Sequence, residues 1–376
     1  MLAPERAEQE IRHARDRDHR DSECGDDQKP AGALHRRADY PGVVPALTDR
    51  ITLGGIELPN RLVLAPLAGI GSWFVRLQAR RYGAGLVVSE MVSSFAVHYR
   101  NEKTCRELLR IDPREHDGGA VSIQLFGADP QIMRSAAATV AAAGADLIDI
   151  NMGCPVPKVC RTGAGAALLT DGDRAVAVAR AAVEGSGLPV TVKLRSGWCA
   201  GALDGVALAR RLVDEAGVAA IALHPRPATL AHRGRPDYAI VAELVRTLDA
   251  PVLLSGGLHS ADLVREAYQQ TGVAAVMLAR GALGNPWLFE ELLGRREEPP
   301  SADEVLAELD WIIGCASEHL GVERAGRYLR RFYPWYVERL ALEPARRRAL
   351  QSELQRVEGF AAVRELLDCA LDPQAV

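Results

Sequence analysis

The sequence predicts an α/β protein, a (β/α)8 barrel followed by a smaller all-α domain. Short apolar runs alternate with amphipathic stretches eight times between residues 51 and 297. This alternation favours a parallel sheet covered by helices, and its length matches a barrel of about 250 residues. From Ser301 onward only helical patterns remain. The expected domains are therefore a barrel over 46–297 and a helical domain over 298–376.

The predicted strands are predominantly apolar runs, as expected for strands that are buried on both faces. They are Leu62–Ala65, Leu86–Ser89, Val121–Leu125, Leu147–Ile150, Val190–Leu194, Ala220–Leu223, Val252–Leu254 and Ala275–Leu278. Two intervening stretches begin at Asp129 and Asp171 and end near glycine, which are helix start and stop signals. An open, doubly wound sheet is the alternative, but no Gly-x-Gly-x-x-Gly follows the first predicted strand.

Composition places limits on the class of protein. Residues 1–45 are dense in charges of both signs and poor in large apolar residues, so we expect a disordered tail. No apolar run approaches ~18 residues, which argues against a membrane span, and the charged N-terminus argues against a secretory signal. We therefore expect a cytoplasmic protein. The seven cysteines include no Cys-x-x-Cys pair, which argues against a zinc site or a disulfide framework, and no metal is predicted.

The predicted helical domain contains an arginine-rich segment between residues 324 and 348. Its arginines are Arg324, Arg327, Arg330, Arg331, Arg339, Arg346, Arg347 and Arg348, and aromatic residues are interleaved with them. One interpretation is an amphipathic helix with aromatic core contacts and a solvated basic face. The other is a patch that binds a nucleic-acid backbone, which the net charge of −4 would restrict to a local contact.

Polar or glycine-containing groups follow nearly every predicted strand. Because the carboxyl ends of barrel strands carry the chemistry, we expect these residues to surround one site. Ser255, Gly256 and Gly257 after strand seven and Ala279 and Arg280 after strand eight are typical of a phosphate site.

Gln124, Lys193 and His224 would project over the barrel mouth from strands three, five and six. A planar cofactor with a phosphate tail could reach all three, and flavin mononucleotide (FMN) fits: Gln124 can pair with its pyrimidine edge, and Lys193 can stabilise negative charge on the reduced ring. Lys193 could instead form a Schiff base, as in barrel aldolases.

The residues after the fourth strand, DINMGCPVPKVCRTGAGAALL (149–169), place Cys154 between glycine and proline. Together with RLVLAPLAGI (61–70), GAGLVVSEMVSS (83–94), VTVKLRSGW (190–198) and the segments after strands six to eight, this motif resembles the tRNA-dihydrouridine synthases. The resemblance runs in order from about Leu53 to Phe289, and that family also carries a helical C-terminal domain.

The resemblance implies a role for each matching residue. Cys154 would protonate C5 of a uracil while a hydride passes from reduced FMN to C6, with NADPH or NADH as the reductant. The flavin would contact Pro66, Leu67, Ala68, Gln124 and Lys193 at its ring, His224 near its phosphoribityl chain, and Ser255, Gly256, Gly257, Ala279 and Arg280 at its phosphate. The tRNA would contact Asn151, Lys158, Arg195, Arg327 and Arg331.

Two other functions remain open from the sequence. An FMN barrel that acts on a free pyrimidine, similar to dihydroorotate dehydrogenase, would not need the basic helical domain or Lys158. A non-catalytic RNA-binding module would not need Cys154 together with the flavin-contacting set. The sequence gives no indication of a protein partner or of a membrane.

Overall fold

The computed structural model describes residues 44–372, so the predicted disordered tail lies outside the described residues except for its last two positions. Eight parallel strands close into a barrel in the order β3 to β10. The predicted (β/α)8 barrel is therefore confirmed. The barrel strands are β3 (Leu62–Leu64), β4 (Leu86–Ser93), β5 (Ala120–Phe126), β6 (Leu147–Met152), β7 (Val190–Arg195), β8 (Ala220–His224), β9 (Val252–Ser255) and β10 (Ala275–Leu278).

Strand β4 is longer than the sequence predicted. It continues through the polar residues after Ser89 because its pairing with β5 shifts between Val88 and Met91 and resumes at Met91 opposite Gln124. An irregularity of this kind redirects side chains without ending the strand.

Helices follow the barrel strands and cover the outside of the barrel. They are α1 (Trp73–Arg81), α2 (Ser94–His98), α3 (Pro130–Ala142), α4 (Pro157–Cys160), α5 (Gly172–Ser186), α6 (Asp204–Ala216), α7 (Tyr238–Thr247), α8 (Ala261–Thr271) and α9 (Trp287–Leu292). The C-terminal region consists of α10 (Ala302–Leu320), α11 (Val322–Leu329), α12 (Tyr333–Val337), α13 (Pro344–Leu354) and α14 (Phe360–Leu371). The predicted boundary at 297/298 falls between α9 and α10.

Alternation along the strands produces two apolar cores. One set of side chains faces the surrounding helices, and the other, which includes Val63, Leu147 and Met277, fills the barrel interior. A hairpin of β1 (Ile51–Leu53) and β2 (Ile56–Leu58) adds fully buried leucines to the interior core. The amino-terminal end of the barrel is therefore packed mainly with apolar side chains, and most polar side chains inside the barrel lie toward the carboxyl end.

The C-terminal helices dock on α1 through a buried polar cluster. The carboxylate of Glu308 on α10, which is 4% exposed, accepts hydrogen bonds from Gln78 at 2.9 Å and from Tyr82 at 2.8 Å. Arg81 forms an ion pair with the same carboxylate at 3.0 Å, and Gln78 also donates to the Tyr336 hydroxyl at 2.7 Å. Because every polar group in this cluster has a partner, the interface holds the helices in one orientation on the barrel.

Within residues 44–372, no helix is long and apolar enough to cross a membrane. In the same part of the chain, no group of three or more histidine, cysteine or acidic side chains is arranged to hold a metal ion. Within the same residues, five cysteines are free thiols, among them Cys154 and Cys160.

Candidate active site

A polar layer lies above the apolar interior of the barrel, at the carboxyl ends of the strands. Pairing of β5, β6 and β7 places Gln124 opposite Asp149 and Asn151 opposite Lys193. Because side chains alternate along a strand, these residues continue the inward-facing set of the interior core. Four side chains from three neighbouring strands thus come together toward the carboxyl end of the barrel, with Asp149 below Asn151.

The loop after β6 fixes the backbone of Cys154. Its N–H donates to the Asn151 side chain at 2.9 Å, and its carbonyl accepts from Ala166 N–H at 2.9 Å and from the Cys160 thiol at 3.3 Å. Gly165 adopts a φ of +63°, and a Cβ there would lie 2.7 Å from the Cys154 carbonyl. The loop is therefore rigid, and this explains Cys160 as a donor that braces it.

The thiol of Cys154 itself does not help to hold the loop in place. The side chain is only partly buried, and it makes no hydrogen bond to any residue between 44 and 372. A held backbone with a free, accessible thiol is the arrangement that a proton donor needs.

Asn151 and Arg195 both support this loop. The Asn151 amide donates to Gln124 at 2.9 Å and accepts from Gly153 N–H at 3.2 Å as well as from Cys154. Arg195 is 4% exposed, donates to the Gly153 carbonyl at 3.0 Å and also bonds the carbonyl of Ala231. The sequence assigned both residues to the nucleotide, whereas their hydrogen bonds hold the Cys154 loop.

Lys193 carries an unpaired ammonium at the mouth. It forms no ion pair or hydrogen bond within the described part of the chain. Burial and the nearby charge of Arg195 lower its pKa to about 8, while the Asp149 carboxylate opposes the shift. A partly desolvated cation without a partner is suited to receive negative charge from a ligand.

We expect this ammonium to make flavin binding depend on pH. Affinity for reduced, anionic FMN should fall as pH rises through about 8, because the free protein loses the charge there and the ligand-bound protein retains it to higher pH. In Lys193→Met the dependence should disappear, and the ligand-free protein should gain about 1–2 kcal/mol of stability because an unpaired buried cation is removed. Titration of reduced FMN between pH 6.5 and 9.5 and thermal melts check both effects, and an unchanged pH slope in the variant would contradict the assignment.

His224 lies where β8 ends, beside the glycines after β9. The side chain is 6% exposed, and burial together with nearby positive charges holds its pKa far below the usual range, so the ring is neutral. Arg226 donates to Nε2 at 2.9 Å, and because a guanidinium only donates, Nε2 is the unprotonated nitrogen. A Cβ on Gly256, whose φ is +95°, would lie 2.3 Å from this ring. The close approach of loop and ring requires glycine at that position.

The loops after β9 and β10 form a cationic cradle of small residues. Gly257 has a φ of +85°, and a Cβ there would lie 2.5 Å from the Tyr238 hydroxyl. Arg280 is exposed and has no partner among residues 44–372, while Ser255 is buried beneath the loop and Ala279 half-buried. Bare backbone beside an uncommitted guanidinium fits a phosphate group. The residues present therefore fit an FMN whose ring lies toward Gln124 and Lys193.

The remaining predicted flavin contacts lie in the loop after β3. Leu67 is buried, Pro66 is half-buried and Ala68 is exposed. Glu90 of β4 accepts from Gly69 N–H at 2.8 Å, which ties this loop to the next strand.

The structure adds three polar residues that sequence reasoning did not assign. Asp149 and Thr191 face the barrel interior below Asn151 and Lys193, and Arg226 orients His224. Asp149 and Arg226 lie within motifs at strand ends, but their partners are distant in sequence, and no local signal identifies Thr191.

The arginine-rich segment has both a buried aromatic side, as the first interpretation of the sequence requires, and an exposed basic face, as both interpretations require. Phe332, Tyr333 and Tyr336 are buried against the core, so these aromatic rings are packing residues. Arg327 and Arg331 are exposed, and Arg331 donates to the Gly69 carbonyl at 2.9 Å beside the loop after β3. The basic face thus borders the barrel mouth.

Lys158 lies on the other side of the mouth, exposed on the one-turn helix α4 just after Cys154. It makes no ion pair with the described residues, so its charge is available to an external anion.

The family model described as "Dihydrouridine synthase (Dus)" matches residues 63–373. The chain is 37% identical over 304 residues to tRNA-dihydrouridine synthase B of Pseudomonas aeruginosa, covering 77% of this chain and 87% of that protein. It is 32% identical to a probable tRNA-dihydrouridine synthase 1 of Synechocystis, covering 85% and 89%.

Solved structures share the fold at low sequence identity. A 2-naphthoyl-CoA reductase complex aligns with a TM-score of 0.55 at 11% identity, covering 70% of this chain and 54% of that one. An old yellow enzyme homologue from Zymomonas mobilis aligns with a TM-score of 0.50 at 14% identity, covering 67% and 94%. The family match extends over the barrel and the C-terminal helices alike, and the chain belongs to the dihydrouridine synthase family.

Proposed function

We propose that this protein is an FMN-dependent tRNA-dihydrouridine synthase that reduces the C5–C6 double bond of uridines in tRNA. The observation that carries the proposal is the Cys154 loop. It presents a free thiol beside a polar layer that can hold a flavin ring, and the loops after two other strands of the same barrel mouth form a cradle suited to the flavin phosphate. A substrate of this kind would place the activity in the cytoplasm.

When bound, FMN supplies the hydride for C6 and is reduced again by a nicotinamide nucleotide, for which we propose NADPH. Lys193 would hold a positive charge at the ring edge, and Gln124 would offer its amide to the pyrimidine portion. Pro66, Leu67 and Ala68 would border the ring, His224 would lie near the phosphoribityl chain, and Arg280 would bind the phosphate together with the small residues around it.

Cys154 donates the proton that C5 of the uracil requires. A thiol can transfer a proton to carbon and recover it from water near neutral pH without being a strong acid. Asn151 and Arg195 keep the loop in place during this transfer, which we propose in place of direct contact with the nucleotide. Because a uridine stacked in folded RNA cannot reach the barrel mouth, the base must be extruded before it reacts.

The test uses tRNA from a strain that lacks this protein. Purified protein with FMN and NADPH should add two hydrogens to particular uridines, which mass spectrometry detects in the digested tRNA. Reduction of free orotate or uracil in place of tRNA would favour the free-pyrimidine function, and a protein that cannot be loaded with FMN would exclude both.

We expect the exposed arginines of α11 and the segment after it to contact tRNA phosphates. Arg327→Glu should weaken tRNA binding about tenfold at low salt. The slope of log affinity against log salt concentration should become shallower by roughly one, the value for one lost phosphate contact. The combination with Arg331→Glu should weaken tRNA binding further. Filter binding across a salt series measures both quantities.

Arg50→Glu provides a matched control, because Arg50 is also an exposed arginine in an ion pair, with Glu57 of the β1–β2 hairpin at the opposite end of the barrel, as Arg327 is with Glu323. NADPH oxidation should be unchanged in Arg327→Glu and in Arg50→Glu. Equal tRNA affinity in Arg327→Glu and Arg50→Glu would remove the arginines from the interface.

A further inference from the structure

Asp149 is a buried carboxylate that the proposed chemistry does not use. It is 0% exposed, on the inner face of β6, two residues before Asn151. One carboxylate oxygen accepts from the Gln124 amide at 2.5 Å, and the other accepts from the Thr191 hydroxyl at 2.6 Å. Three adjacent strands are thereby joined directly below the barrel mouth.

The hydrogen bonds around Gln124 fix the direction of its amide group. An ionised carboxylate only accepts hydrogen bonds, so Gln124 must turn its NH2 group toward Asp149. Asn151 must turn its own NH2 group toward Gln124, because its oxygen already accepts from two backbone N–H groups of the Cys154 loop. The carbonyl oxygen of Gln124 therefore accepts the hydrogen bond from Asn151, so Asn151 and Asp149 favour the same orientation of the Gln124 amide.

This arrangement leaves Gln124 with one N–H and one lone pair for a ligand. The imide edge of a flavin presents a carbonyl oxygen beside an N–H, which is the complementary pattern. A reversed amide would place donor against donor and acceptor against acceptor. The orientation of the Gln124 amide thus decides whether the imide edge of the flavin can form hydrogen bonds with it.

Resting on the function proposed above, we propose that Asp149 is a positioning residue that sets the donor and acceptor ends of Gln124 toward the flavin. Through Asn151 it also joins the flavin edge to the loop that carries Cys154. The hydrogen bonds run without interruption from Thr191 through Asp149, Gln124 and Asn151 to the backbone N–H of Cys154.

A structural role alone does not account for this carboxylate. Burial raises the pKa of Asp149 to about 6, against the opposing effect of its hydrogen bonds and the Lys193 charge. A carboxyl group whose pKa is higher in the folded than in the unfolded protein destabilises the fold at neutral pH, where it is ionised. A neutral group of the same shape would be cheaper to bury, but it could donate as well as accept, and the direction of the Gln124 amide would then depend on Asn151 alone.

The test is Asp149→Asn, which keeps the shape and lets the side chain donate as well as accept. We expect the Kd for FMN, measured by quenching of flavin fluorescence, to rise about tenfold, the effect of one hydrogen-bonded contact. The melting temperature of the ligand-free protein should stay equal or rise. Thr191→Val, which removes only the supporting hydroxyl, should raise the Kd about threefold.

A double-mutant cycle separates positioning from general damage. If Asp149 acts through Gln124, Asp149→Asn should weaken FMN binding in the wild-type background and have no further effect in Gln124→Ala. An equal loss in both backgrounds, or no loss in either, would overturn the inference.

The controls are a buried carboxylate and a buried threonine outside the site. Glu115→Gln changes the partner of Arg76, and Thr271→Val changes a hydroxyl that bonds within α8. Neither should alter FMN affinity, and a loss as large as that of Asp149→Asn would overturn the specific role of Asp149. If wild-type protein does not bind FMN at all, the proposed function fails, and this outcome is distinct from normal binding by both wild type and Asp149→Asn.

Discussion

Replacing Cys154 with alanine should lower dihydrouridine formation by about 10²- to 10⁴-fold, the usual contribution of a positioned proton donor. The loop should keep its shape, because its hydrogen bonds use the Cys154 backbone and not its side chain. Reduction of bound FMN by NADPH should therefore proceed at the wild-type rate. Single-turnover measurements of each half-reaction separate the two effects.

Cys105→Ala is the matched control, since Cys105 is also a partly buried free thiol but lies in the short helix Thr104–Leu108, away from the polar layer. It should form dihydrouridine normally. A Cys154→Ala protein that also works at the normal rate would show that the proton comes from another group.

The barrel was predictable because the residues of each strand identify it as a buried strand without information from the rest of the chain. Runs such as Ala220–Leu223 and Ala275–Leu278 are buried on both faces, so they are continuously apolar and easily found. The strand ends were predictable for a related reason: a polar residue that interrupts such a run at its end has few structural uses. Gln124 and Lys193 were singled out in this way, and their roles at the flavin stay predictions.

Roles that depend on distant partners were not predictable. Arg195 looked like a nucleotide contact, but its hydrogen bonds go to carbonyls 42 and 36 residues away along the chain. Asp149 depends on the register of β6 with β5 and β7, which no local pattern reveals. The aromatic residues after Arg327 were ambiguous because their burial depends on how the C-terminal helices dock.

Gly256→Ala should weaken FMN binding by at least about 100-fold. The added Cβ would lie 2.3 Å from Cδ2 and 2.4 Å from Nε2 of His224, and the backbone φ of +95° is itself strained by about 1–3 kcal/mol for alanine. The ring or the loop must move, and either movement disrupts the bond between Arg226 and His224 and that between the Tyr238 hydroxyl and the Gly256 carbonyl. Both sides of the phosphate cradle are then displaced, which flavin-fluorescence titration detects.

Gly272→Ala isolates the backbone strain. Gly272 ends helix α8 with a φ of +63°, and a Cβ there would meet nothing within 4 Å. This variant should lose about 1 kcal/mol of stability and bind FMN normally. The double variant Gly256→Ala with His224→Ala removes the clash, so it should regain much of the lost stability without regaining FMN affinity. If it regains the affinity as well, His224 only fills space beside the cradle; if Gly256→Ala alone binds FMN normally, the phosphate does not lie against this loop.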